Sequence, residues 1–69
     1  MKADHTQVMQ ALKTARGQID GIIRMVEDDR YCVDISNQLL ATQALLKKTN
    51  KVVLEAHIKS CVRDSFTSG

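Results

Sequence analysis

Cys32, His57 and Cys61 have the types and the spacing to bind a metal ion. His57 and Cys61 stand four residues apart, so on a helix they share one face and both reach a single ion. Cys32 lies 29 positions before Cys61. On one continuous helix that separation is roughly 44 Å at ~1.5 Å per residue, so a single chain cannot close the site on itself. An antiparallel partner chain closes it, because the Cys32 end of one helix then lies beside the Cys61 end of the other. Two thiolates and an imidazole make a soft to borderline donor set. It suits Cu(I) in trigonal geometry, Zn(II) with a fourth ligand, or Ni(II) if a backbone or terminal nitrogen joins. With no fourth protein ligand evident, Cu(I) fits best. Cys32 falls at a helix start, where the dipole favours an anion, and Tyr31 beside it can donate a second-layer hydrogen bond. His57 must bind as the neutral imidazole, so metal affinity falls at low pH. The plainer alternative is a buried cysteine and a packed histidine in a helical core.

The elements that must position these residues are helical. Proline is absent, and glycine occurs only at positions 17, 21 and 69. Val8, Leu12, Ala15, Ile19, Ile22 and Val26 recur at alternating steps of four and three, which predicts an amphipathic helix over residues 5–28. Gly17 and Gly21 weaken that helix slightly; they fit close approach of another helix backbone, or else of DNA phosphates. A second helix is expected over residues 32–64, with Ile35, Leu39, Leu46, Val53 and Ala56 on one side. Leu40, Leu45, Val52, Leu54 and Ile58 widen that stripe so far that several neighbours are needed to cover it. The turn is assigned to residues 28–31, with an aspartate available to N-cap the second helix. Residues 65–69 read as a frayed polar tail. The pattern gives an all-α, two-helix hairpin, half of a four-helix bundle.

Composition bounds the rest. A chain this short holds one domain and a small core, so oligomerisation is the expected supplement. Hydrophobic residues make up 43%, yet there is one Phe, one Tyr and no Trp. The core must therefore come from aliphatic residues. No segment has the apolar length of a membrane span, and the N-terminus lacks a signal-peptide pattern. A cytoplasmic location is expected, where thiols stay reduced. The formal net charge of +2 is unevenly spread: residues 25–40 are acidic, while residues 1–24 and 41–63 are basic, which can build a basic face on an assembly. A Cys–His pair also suggests a thiol nucleophile, but two helices offer neither a pocket nor oxyanion donors. An enzyme is not expected, nor a small-molecule substrate.

Arg16-Gly17-Gln18, Gly21-Ile22 and the run from Met25 to Ile35 resemble the copper-sensing operon repressor family (CsoR/RcnR, the metal-sensitive transcriptional repressors). The resemblance continues through Gln38, Ala41, Gln43 and Ala44 to His57 and Cys61-Val62. It implies an antiparallel four-helix-bundle homodimer, commonly two dimers in a homotetramer. It further implies one Cu(I) per subunit, held by Cys32 of one chain and His57 and Cys61 of the other. The metal-free protein would bind operator double-stranded DNA, and Cu(I) would release it to derepress copper efflux. Residues 1–69 then form a single metal-sensing, DNA-binding domain.

The site residues point to the copper(I)-sensing branch. The nickel/cobalt branch has His in place of the last cysteine, where this chain has Cys61; the persulfide-sensing branch lacks the histidine, which here is His57. Some relatives with Cys-His-Cys sites answer to nickel. A persulfide or oxidant sensor through Cys32 and Cys61, and a copper buffer without DNA binding, are the alternatives. Family members continue past the equivalent of Gly69 into a short third helix, and this sequence stops before it. Ala11 stands where some relatives carry a DNA-contacting arginine. Lys48 keeps the sign of a frequent arginine but not its bidentate geometry. No helix-turn-helix or zinc-finger signature appears. DNA contacts are expected from Lys13, Arg16, Gln18, Lys47 and Lys48, the basic ones to phosphates.

Overall fold

A computed structural model describes residues 1–67 of the chain, with side-chain surroundings through residue 65. Two helices, α1 (His5–Glu27) and α2 (Cys32–Thr67), pack against each other as a hairpin. Asp4 stops the N-terminal strap: its backbone is extended (φ −62°, ψ 114°) and its carboxylate accepts from the Thr6 N–H at 3.0 Å. That contact satisfies one of the orphan donors of the first turn. α1 ends in a Schellman motif. The Arg30 N–H donates to the Met25 carbonyl at 2.9 Å and the Asp29 N–H to that of Val26 at 3.0 Å. The motif requires a left-handed residue, and Asp29 supplies it at φ 52°. The aspartate expected to cap α2 does not: the Tyr31 carbonyl accepts the first bond, from the Ile35 N–H at 3.2 Å. The turn aspartates instead serve the end of α1, while Asp34 complements the dipole in the first turn of α2. α2 runs through Thr67, past the expected stop at Asp64; Ser68 and Gly69, the rest of the expected frayed tail, lie outside the described residues.

The hairpin measures 59 × 20 × 11 Å and is therefore one helix thick. Its core is a seam. From α1 the buried residues are Val8, Ala15 and Ile22, each seven after the last. From α2 the seam follows Ile35, Thr42, Thr49 and Ala56 in the same rhythm, with Leu45, Val52 and Val53 beside them. Of the expected α2 stripe, Ile35, Val53 and Ala56 enter the seam, while Leu39 and Leu46 lie beside it and remain exposed. Leu12, Ile19 and Val26, the alternate members of the α1 stripe, are exposed too. Among the described residues no side chain is completely enclosed, since two cylinders touching along a line shield only one flank of each. Gly17 and Gly21 were expected to admit a neighbouring helix, but a Cβ on either would meet nothing within 4 Å. The hairpin's own helices make no use of these glycines.

Candidate metal centre

All three predicted ligands stand on α2. Cys32 is its first residue, and His57 and Cys61 lie near its other end. His57 and Cys61, one turn apart, line a shallow groove with Ile58, Val62 and Ser65. The separation to Cys32 is 29 residues of unbroken helix, roughly 44 Å. Both cysteines are reduced and exposed. Among the described residues no three His, Cys, Asp or Glu side chains come together as a metal-holding group. The chain alone therefore offers two candidate ligands at one end of α2 and one at the other. Tyr31, which precedes Cys32, is 69% exposed.

The helix phase relates the two ends. Steps of seven from Cys32 reach Leu39, Leu46 and Val53, and steps of four then reach His57 and Cys61. Each heptad drifts only about 20° on a straight helix, so all six residues lie on one flank of α2. Leu46 falls at the midpoint between Cys32 and the His57–Cys61 pair. A second copy laid antiparallel on this flank, its two-fold axis near Leu46, sets each Cys32 beside the opposite pair. The donor set fits a soft ion: two free, exposed thiols and an exposed imidazole on one continuous helix.

The expected DNA contacts divide. Lys13, Arg16, Lys47 and Lys48 are exposed. Lys48 lines a groove between the helices with Gln7, Gln10, Thr14 and Leu45. Lys13 lines the adjoining surface of α1 with His5, Thr6, Met9 and Gln10. Gln18 is half-buried at the seam, where its side-chain oxygen accepts from the Thr42 hydroxyl at 2.7 Å. That contact went unread in the sequence, because threonine scores as polar and drops out of an apolar stripe. Continuing the seven-residue rhythm from Ile35 would have exposed Thr42 and Thr49 as seam positions.

The model of the family described as metal-sensitive transcriptional repressor matches residues 4–68. The copper-sensing transcriptional repressor CsoR of Mycobacterium ulcerans is 50% identical over 58 residues, covering 84% of this chain and 50% of that protein. That of Bacillus subtilis is 48% identical over 63 residues, covering 91% and 62%. That of Mycobacterium tuberculosis strain H37Rv is 39% identical over 69 residues, covering 100% and 58%. The chain thus spans about half to three fifths of the length of these relatives. Among solved structures, the copper-sensing repressor CsoR with Cu(I) from Geobacillus thermodenitrificans superposes with a TM-score of 0.85 at 41% identity, covering 93% of this chain and 67% of that one. With nearly its whole length matched, the chain belongs to the metal-sensitive transcriptional repressor family.

Proposed function

We propose that this chain is a copper(I)-responsive transcriptional repressor that binds operator DNA when metal-free and leaves it on binding Cu(I), derepressing copper-efflux genes in the cytoplasm. The observation that carries the reading is the one-flank arrangement of Cys32, Leu39, Leu46, His57 and Cys61 on a single unbroken helix. It makes the metal site and the dimer one structure: each chain lacks a complete ligand set, and the flank joining its two halves is apolar and exposed. Two copies pack as an antiparallel four-helix bundle and hold two Cu(I) ions, one per subunit. In each site Cys32 comes from one chain and His57 and Cys61 from the other, with Tyr31 close enough in sequence to tune the first thiolate. Once bound, Cu(I) would supply no chemistry beyond coordination; at each end of the bundle it would join one chain to the other.

The DNA face is assigned to Lys13, Arg16, Gln18, Lys47 and Lys48, near the middle of the rod; Lys13 and Lys48 line adjoining surfaces that share Gln10. Such contacts are to phosphates, so affinity falls steeply with salt. An anaerobic titration with Cu(I), followed by release from operator DNA in a gel shift, tests the reading. One ion per chain, lost in His57→Ala, with loss of the DNA complex on copper addition, is the expected result. Cu(I) bound without effect on DNA would indicate a metal buffer, and sulfane-driven DNA release that survives His57→Ala would indicate a sulfur sensor. Either would reject the proposal.

A further inference from the structure

The centre of the seam between α1 and α2 is made of small and β-branched residues, Val8, Ala15 and Ile22 against Thr42, Thr49 and Ala56, with the half-buried Leu45, Val52 and Val53 beside them. No large side chain is completely enclosed there. Such a surface lets helices approach closely but holds no deep knob to oppose sliding along the axis. Two threonine hydroxyls lie buried in it, and they differ. Thr49 donates to the Leu45 carbonyl of its own helix at 2.8 Å. Thr42 has two acceptors, the Gln38 carbonyl at 3.2 Å and the Gln18 side-chain oxygen on the facing helix at 2.7 Å. A hydroxyl carries one proton, and the shorter contact across the seam is the better acceptor position.

We infer that the Gln18–Thr42 hydrogen bond is a register pin that fixes α1 axially on α2 and thereby positions the basic residues of the two helices relative to each other. Sliding by one residue's rise, ~1.5 Å, breaks this bond and costs the apolar seam little. The pin stands at the level that matters: Lys13 lies five residues from Gln18 toward the open end of the hairpin and Lys48 six residues from Thr42 in the same direction, on adjoining surfaces that share Gln10. A single polar residue in an apolar helix seam fixes register in the same way in coiled coils. The inference rests on the repressor reading for its consequence. All three proposed copper ligands stand on α2, so a slip of α1 spares the metal site and disturbs only the DNA face.

Thr42→Val and Thr49→Val provide the comparison, since both remove a buried seam hydroxyl and only one crosses to α1. Expected for Thr42→Val are native Cu(I) stoichiometry and affinity, at least tenfold weaker operator binding, and split or broadened amide NMR signals at Ala15, Ile22 and Leu45. Thr49→Val should keep single sharp signals and operator affinity within twofold. If the unsubstituted chain binds no operator, the repressor reading fails, and the spectra alone decide the pin. A single sharp spectrum for Thr42→Val overturns the inference, as does loss of copper and DNA binding together in a folded protein. If Thr42→Val does not fold, Gln18→Leu should split the same signals while Gln18→Glu, which keeps an acceptor, should not; unsplit signals in Gln18→Leu overturn the pin.

Discussion

Leu46 lies eleven residues from His57 and fourteen from Cys32, roughly 17 and 21 Å along α2, yet its replacement by glutamate is expected to abolish the copper site. Leu12, Ile19, Val26, Leu39 and Leu46 retain between them rather more than two side chains' worth of exposed surface. Covering it on two chains at ~1.5–3 kcal/mol per side chain yields about 7–14 kcal/mol gross. Association itself costs ~4–15 kcal/mol, so the proposed dimer stands on a narrow margin. Leu46 is 41% exposed, and two copies near the axis forfeit about 1–2 kcal/mol if removed. Two glutamates there add the penalty of burying like charges against each other, several kcal/mol more. A total of ~4 kcal/mol raises the dimer dissociation constant about a thousandfold. Sedimentation velocity should find Leu46→Glu monomeric at micromolar concentration, and anaerobic competition should find tight Cu(I) binding gone with every ligand in place. Lys47→Glu, one residue along and about 100° around the helix from Leu46, should leave both measurements unchanged. A dimeric Leu46→Glu, or a monomer that still binds Cu(I) tightly at one per chain, would refute the inter-subunit geometry.

Other expectations concern the hairpin itself and are checked by thermal unfolding followed at 222 nm. Asp29→Gly relieves the left-handed backbone at the end of α1; after the entropy cost of glycine it should stabilise by ~0.5 kcal/mol, a rise of about 2–4 °C. Asp4→Ala deletes the cap on the Thr6 N–H and should cost ~1 kcal/mol, about 4–8 °C in the opposite direction. Ser60→Ala removes a hydroxyl that is buried with no hydrogen-bond partner, so it should raise stability by ~1 kcal/mol; a fall would mean that the hydroxyl gains a partner in the assembled protein.

Much of this protein was legible before any coordinates. The 3.6-residue rhythm of Val8, Ala15 and Ile22, the lack of proline and the polar residues 28–31 were enough for a two-helix hairpin, because periodicity and turn chemistry are local properties. His57 and Cys61 declared a shared helix face by spacing alone, and the distance to Cys32 followed from the rise of a helix. Which flank of α2 would meet α1 was not legible. α2 is apolar around most of its circumference, so several rotations bury similar areas, and only packing against α1 selects among them. That choice put Thr42 and Thr49 inside and left Leu39 and Leu46 outside, in line with the ligands. Asp29 escaped notice for a related reason: a left-handed C-terminal residue is usually glycine, and an aspartate there reads as a cap for the following helix. Sequence therefore determined the elements and the spacing of the candidate ligands along α2, whereas tertiary structure decided which face of the hairpin remained exposed.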